Sequence, residues 1–163
     1  MMRRAALVLF TVFAAALVAP AAAQVATAAK PLVSGPTNWP GVTIDLMSVE
    51  RKGSIVTVKW AVRNQGAERA GVQFAFTGPQ QTTYLLDEES GTKYYALTDK
   101  EKNTLASEHV YIGSNNYGIN GQVAPGGMQR YWAKFPAPPA AVKAINVFFT
   151  NSDPFEGVAI TDK

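Results

Sequence analysis

The stretch that most constrains the fold is residues 54–63, which read Ser-Ile-Val-Thr-Val-Lys-Trp-Ala-Val-Arg. Its even-numbered positions after Ser54 carry Val56, Val58, Trp60 and Val62, whereas Thr, Lys and Arg occupy odd-numbered positions. An alternation with a period of two places one set of side chains in a core and the other towards solvent. β-Branched residues around a Trp suit a pleated, half-buried surface. The stretch therefore predicts a central β-strand with Trp60 as its core anchor.

Similar short alternating segments recur along most of the chain. Residues 42–46 alternate just before residues 54–63, and the Lys52-Gly53 turn between them predicts a hairpin. The apolar phase slips at Val49, which indicates a bulge or the end of the strand. No stretch shows helical periodicity over ten residues, and eight or nine short strands with frequent turn signals indicate an all-β sandwich. The other predicted strands are residues 72–76, 82–86, 92–97, 110–112, 128–135, 145–149 and 155–160.

The same alternation selects the residues of the hydrophobic core. On each predicted strand, the more apolar set of alternate positions is expected to face inward and to be buried. The expected core residues are Val56, Val58, Trp60, Val62, Phe74, Phe76, Tyr131, Phe135, Val147 and Phe149.

The N-terminal residues 1–23 have the pattern of a cleavable secretory signal peptide. Two arginines precede an apolar run at residues 5–18, and small residues before Gln24 provide a processing site, with a second possible one near Ala28. The run is shorter than the roughly 20 apolar residues that a membrane span needs. We therefore expect a bacterial protein in the periplasm or secreted, not membrane-spanning after processing, with a flexible lead-in at residues 24–40 and one domain at residues 41–163.

Charge and cysteine content exclude several classes of function. Without Arg3 and Arg4, the 15 basic residues fall to 13 against 12 acidic ones, so the predicted mature chain is close to neutral. Nucleic-acid-binding domains usually carry a clear basic surplus, so no nucleic-acid partner is expected. The chain has no cysteine, which removes disulfides, thiol nucleophiles and thiolate metal ligands.

Three segments of the chain carry a resemblance to a known type of domain. They are residues 84–95 (YLLDEESGTKYY), 132–139 (WAKFPAPP) and 154–160 (PFEGVAI). Over roughly residues 40–160 the chain resembles bacterial extracytoplasmic immunoglobulin-like domains, some of whose relatives are fused to OmpA-like modules. The resemblance implies an immunoglobulin-like antiparallel β-sandwich of about 8 strands behind a signal peptide. It implies no catalytic or ligand-binding residue.

Histidine and the ligands of soft metals are scarce in this chain, and although a pair of carboxylates could serve glycoside hydrolysis, nothing in the sequence selects one pair among its 12 Asp and Glu residues. His109 is the only histidine, and no Gly-x-Ser-x-Gly motif provides a nucleophile for it. Met47 and Met128 are the only methionines after processing, so soft metals would lack ligands. The carboxylates at residues 87–89 lack the spacing of a calcium loop and suit a solvated turn. We expect no enzymatic activity, no metal and no cofactor.

The most informative candidate for binding is the strand at residues 128–135. Its odd positions form the better core face, so Trp132 should point outward between Arg130 and Lys134. A Trp flanked by cations can anchor a protein partner or stack on a sugar. Phe148 should also point outward from the next strand, and consecutive strands would place it beside Trp132. The alternative is that another segment, such as that around Trp39, covers both rings.

A second candidate for binding is residues 113–127, which hold five Gly and three Asn in 15 residues. Long stretches of this kind are usually functional or mobile loops, and Tyr117 would supply contact area on it. The sequence therefore predicts a non-enzymatic binding or accessory domain that acts through contacts with an envelope or extracellular protein. The alternative is a carbohydrate- or cell-wall-glycan-binding module that uses surface aromatic residues.

Overall fold

A computed structural model describes residues 30–77, 82–108, 110–113 and 116–163. Within these ranges the chain forms twelve β-strands and no helix, so the all-β prediction is confirmed. The strands are β1 (Val33–Pro36), β2 (Val42–Lys52), β3 (Ile55–Asn64), β4 (Ala70–Ala75), β5 (Tyr84–Asp87), β6 (Thr92–Tyr95), β7 (Val110–Gly113), β8 (Asn116–Val123), β9 (Met128–Pro136), β10 (Ala144–Phe148), β11 (Phe155–Ala159) and β12 (Thr161–Asp162).

The largest sheet has five strands and is centred on β3. β3 lies between β2 and β9 and pairs antiparallel with both, as expected for a central strand. β2 and β3 form the predicted hairpin, but its two-residue turn is Gly53-Ser54 rather than Lys52-Gly53, because Lys52 still pairs with Ile55. The other edge of β2 is shared by two short strands, with β1 antiparallel to it and β12 parallel.

Two smaller sheets complete the domain. One has the strand order β11-β10-β5-β6, and the other has the order β4-β8-β7. All pairings within these two sheets are antiparallel. The hairpin of β5 and β6 surrounds the acidic turn, as its composition predicts.

The three sheets enclose one hydrophobic core around Trp60. Its indole lies edge-on to Phe74 of β4 at 5.2 Å between ring centroids, and 4.9 Å from the ring of Phe149. Tyr131 of β9 completes this aromatic cluster at 5.9 Å from Trp60. All ten residues expected in the core are buried, which confirms the assignment of inward-facing positions.

The prediction of a long loop at residues 113–127 is wrong, because β8 occupies its centre. β8 pairs with β4 on one side and with β7 on the other. Two of its glycines are needed for close approach rather than for a loop conformation. A Cβ at Gly118 would stand 1.9 Å from the carbonyl oxygen of Phe74, and one at Gly121 would stand 2.0 Å from the phenol oxygen of Tyr131. Glycine content therefore marks tight packing between strands here.

Three of the twelve strands, β1, β8 and β12, were not predicted, so the expectation of about eight strands was too low. β1 lies within residues 24–40, where the sequence shows no alternation, and its partner β2 determines its register. The predicted signal peptide lies outside the described residues, as do residues 24–29. In the part of the chain that the structure describes, no helix is long and apolar enough to cross a membrane.

Candidate functional site

Alternation along β9 places Trp132 on the outer face of the five-stranded sheet. Tyr131, Ala133 and Phe135 point into the core, and Trp132 retains 38% of its accessible surface. Arg130 on one side of Trp132 is exposed, and Lys134 on the other is half-buried. Trp132 therefore presents accessible ring surface between two cationic residues.

A β-bulge in β2 brings Met47 to the same face. Leu46 pairs with Trp60 and Ser48 pairs with Lys59, so Met47 is an extra residue between two regular pairs. A bulge of this kind places two residues opposite one on the partner strand. This confirms the bulge interpretation of the apolar phase slip, and Val49 returns to the core beyond it.

Met47, Lys59 and Trp132 surround a shallow depression on this face. Lys59 pairs directly with Trp132 across β3 and β9. The depression has a volume of about 330 Å³, and Met47, Lys59, Arg130 and Trp132 contribute to its lining together with Trp60 and Tyr131 beneath. We call the surface formed by Met47, Lys59, Arg130, Trp132 and Lys134 the cationic–aromatic face.

The ion pairs on this side of the sheet involve the basic residues of β3. The ammonium group of Lys59 lies 3.2 Å from the carboxylate of Glu50, and this hydrogen bond lowers the pKa of Glu50. Arg63 pairs with Asp45 in the same way. The ammonium group of Lys134 lies 5.8 Å from the centre of the Trp132 ring, within the range of a cation–π interaction.

Hydrogen bonds run along both edges of β9 where it carries Trp132. One edge of β9 pairs with β3, and the other is met by residues 105–107. The N–H of Trp132 donates to the hydroxyl of Ser107 at 2.6 Å, and the N–H of Ser107 donates to the carbonyl oxygen of Trp132 at 2.9 Å. Lys134 donates its backbone N–H to the carbonyl oxygen of Leu105, which belongs to the same segment of residues 105–107. The ring is therefore displayed on a rigid backbone.

Phe148 does not lie beside Trp132, so that expectation is wrong. β9 and β10 are consecutive in the chain but belong to different sheets. Phe148 instead stacks on Tyr84 of β5, with centroids 4.6 Å apart and planes 10° apart. Tyr95 continues this row on β6, and the ammonium group of Lys93 lies 4.6 Å from the centre of the Tyr84 ring. The alternative that Trp39 covers both rings is also wrong, because Trp39 packs edge-on against Phe74.

Tyr117 lies on a paired strand rather than on a mobile loop. It is 41% exposed on β8 and faces Tyr111 of β7, which is 60% exposed. The two rings meet edge to face, with planes 65° apart and 5.6 Å between centroids. The structure thus separates the five candidate binding residues: Arg130, Trp132 and Lys134 lie together, and Phe148 and Tyr117 belong to two other sheets.

The described residues provide no evident metal site. No group of three or more His, Cys, Asp or Glu residues within them could hold a metal ion. The carboxylate of Asp87 accepts a hydrogen bond from Ser90 at 2.7 Å within its own turn. Glu88 accepts one from the side-chain amide of Asn146 at 3.3 Å. His109 lies outside the described residues.

Met47 and Lys59 were missed as candidates, although the sequence contained a signal for both. The phase slip at Val49 marks the bulge that turns Met47 outward. Lys59 is one of the outward-facing residues of the central strand. Counting residues back from the turn of the β2–β3 hairpin places it opposite the bulge. Its position beside Trp132 depends on the pairing of β3 with β9, whose register the sequence does not specify.

The chain matches no protein-family model, no curated protein and no solved structure. The resemblance to extracytoplasmic immunoglobulin-like domains therefore has no support from similarity to a known protein. The function has to be inferred from the geometry of the candidate site.

Proposed function

We propose that this chain is a non-enzymatic binding domain that acts through protein–protein contacts in a bacterial cell envelope. In this proposal, residues 1–23 direct export and are removed, and the remainder is an immunoglobulin-like β-sandwich in the periplasm or outside the cell. The antiparallel sheets around one core support the fold. Residues 1–23 support export from the cytoplasm, because basic residues are followed by an apolar run and then by small residues.

The observation that carries the proposal is the exposed ring of Trp132 on a backbone that is hydrogen-bonded along both edges. Trp and Arg are enriched among the residues that dominate binding energy at protein interfaces. Such anchors work best where the backbone is already in place, because little conformational entropy is lost on binding. Met47 adds an adaptable apolar surface next to the ring.

Glycan binding, the alternative, has weaker support from the same surfaces. A sugar-binding platform needs a ring face that is open to the ligand. Tyr84 and Phe148 stack their faces on one another, which occupies that surface. Sugar hydroxyls also need hydrogen-bond acceptors around the ring. The carboxylates that the outer side of β2 contributes, those of Asp45 and Glu50, are already paired with Arg63 and Lys59.

The proposal is tested by capture of partners from an envelope extract. Protein exported and processed by a bacterial host is immobilised, and bound proteins are compared between wild type and Trp132→Ala. Tyr111→Ala is the matched control, since it removes a more exposed aromatic ring from another sheet. A partner retained by wild type and by Tyr111→Ala but lost with Trp132→Ala supports the proposal. Retention by all three proteins, or by none, contradicts it.

The address is tested separately by mass spectrometry of the exported protein. We expect the mature chain to begin at Gln24 or at a residue shortly after it. A chain that retains residues 1–23 after export would contradict the signal-peptide assignment.

A further inference from the structure

Near Trp132 the basic residues Lys59, Arg63, Arg130 and Lys134 outnumber the acidic residues Asp45, Glu50 and Glu108, the last of which is close enough to act on Tyr131. Lys59 and Arg63 are paired with Glu50 and Asp45. Among the residues that the structure describes, no carboxylate forms an ion pair with Arg130 or Lys134. The two basic residues that flank the exposed ring are therefore both without a paired carboxylate in the described part of the chain.

The backbone positions of these two residues have the spacing found in an extended peptide. Arg130 and Lys134 stand four positions apart on β9, with Trp132 midway between them. A strand rises about 3.3 Å per residue, so the two positions are roughly 13 Å apart. In an extended chain, residues i, i+2 and i+4 point to one side and have the same spacing. A peptide lying along β9 could therefore place two carboxylates at the cations and a third side chain at the ring.

The depression selects the kind of side chain that would lie at the centre. Apolar surface predominates in its lining, with Met47 on one side and Trp132 on the other. Lys59, which lies between them in the sheet, keeps its ammonium group on Glu50. An aliphatic side chain would lose little by leaving water there, whereas a polar one would lose hydrogen bonds that the lining cannot replace.

We propose that the cationic–aromatic face binds an extended acidic segment of a partner protein, with an apolar side chain in the depression and carboxylates at Arg130 and Lys134. The inference rests on the proposed function, because it specifies the chemistry of the partner that this face recognises. Charge complementarity is the reason to choose an acidic partner. The flanking cations would attract it and fix its register, and the apolar residue would supply buried surface.

The test uses three blocked five-residue peptides and ¹⁵N-labelled protein. The peptides are Glu-Thr-Leu-Thr-Glu, its neutral form Gln-Thr-Leu-Thr-Gln, and Glu-Thr-Ser-Thr-Glu without the apolar centre. The indole N–H signal of Trp132 reports binding in two-dimensional NMR spectra, and those of Trp39 and Trp60 serve as internal controls. We expect the acidic Leu peptide to shift the Trp132 signal and to bind about tenfold more tightly than the neutral peptide, from roughly threefold per charge contact. The Ser peptide should bind more weakly than the Leu peptide.

Variants assign the effect to the two cations. Arg130→Gln with Lys134→Gln should bind the acidic and the neutral peptide equally well. Arg69→Gln with Lys100→Gln removes the same charges at exposed loop positions and should leave the preference for the acidic peptide intact. Raising the salt concentration to 1 M should lower the affinity for the acidic peptide and leave the affinity for the neutral peptide unchanged, because the screening length falls to about 3 Å.

The outcomes separate this inference from the proposed function. Equal binding of acidic and neutral peptides to wild type, or no shift of the Trp132 signal, overturns the acidic-segment proposal. An oligogalacturonate that shifts the Trp132 signal when the acidic peptide does not would also overturn it, in favour of an anionic glycan. The capture experiment then tests the broader function. A partner that is lost with Trp132→Ala but retained by the Arg130→Gln, Lys134→Gln double variant supports the protein-binding role and contradicts only the acidic specificity.

Discussion

A β-carbon on Gly121 would stand 2.0 Å from the phenol oxygen of Tyr131. The two residues lie on different sheets, β8 and β9, and both are buried. Burial raises the pKa of Tyr131 to about 12, helped by the negative charge of Glu108, so the phenol stays protonated at any pH where the domain would be studied. The absence of a side chain at position 121 therefore determines how closely β8 approaches the Tyr131 ring.

Gly121→Ala should destabilise the domain by about 1–3 kcal/mol, because the added methyl group overpacks the core against Tyr131. The free energy of unfolding in urea measures this loss. Adding Tyr131→Phe removes the oxygen that the methyl group meets. The double variant should therefore lose less free energy of unfolding than the sum of the losses in Gly121→Ala and Tyr131→Phe. Gly71→Ala is the control, since its methyl group would meet only the flexible amide of Gln122. Additive losses in the double variant would contradict the proposed clash.

Trp60 and Trp132 should respond very differently to truncation. Trp60→Ala should cost about 3–5 kcal/mol, because Trp60 is fully buried within the aromatic cluster. Trp132→Ala should cost less than about 1 kcal/mol, as expected for a side chain on the solvent face. Urea denaturation of both variants measures the difference. If Trp132→Ala unfolds as readily as Trp60→Ala, Trp132 is a structural residue and the cationic–aromatic face is no binding site.

The ion pair between Arg51 and Asp162 should make stability depend on acidity. Arg51 is buried and donates its Nε–H to the carboxylate of Asp162, and its Nη1 donates to the carbonyl oxygens of Pro139 and Val142. The hydrogen bond from Arg51, followed by that from Lys143, lowers the pKa of Asp162 from 3.8 to about 2. A lowered carboxyl pKa stabilises the fold above the ordinary value, and this stability is lost as the pH falls from about 4 towards 2.

Thermal melts between pH 5 and pH 2 measure this effect. Asp162→Asn should melt at a lower temperature than wild type at pH 5, and the difference should shrink as the pH approaches 2. Asp153→Asn, which removes an exposed carboxylate elsewhere, should follow the wild-type curve. A gap between wild type and Asp162→Asn that stays constant down to pH 2 would show that the carboxylate does not act through its charge.

Local alternation was sufficient to predict the parts of the fold that depend on one strand or one hairpin. β3 and its inward residues follow from a period of two, and the pairing of β2 with β3 follows from a two-residue turn. The outward direction of Trp132 follows in the same way from Tyr131 and its inward neighbours. These features could be predicted because the residues that determine them are adjacent in the chain.

Features that depend on partners far along the chain could not be predicted. The sequence of β8 resembles that of a loop because it is rich in glycine. Its glycines are required because Phe74 and Tyr131, which belong to distant segments of the chain, approach too closely for a side chain to fit. β1 has no pattern of its own and is ordered by pairing with β2. The separation of Trp132 from Phe148 arises because the chain changes sheets between β9 and β10, and periodicity carries no information about such a change.

The bulge at Met47 has a consequence for the tolerance of this chain to changes in length. Removing one residue from the interior of a regular strand turns every later side chain to the opposite face. Deleting Met47 would instead leave Leu46 and Val49 pointing inward, because Ser48 alone would then stand opposite Lys59. We expect the shortened protein to fold, with a melting temperature close to that of wild type, whereas deletion of Val58 from β3 should abolish folding. The same shortening would remove one wall of the depression beside Trp132, so a gap of one residue at this position could alter recognition while every core contact stays in place.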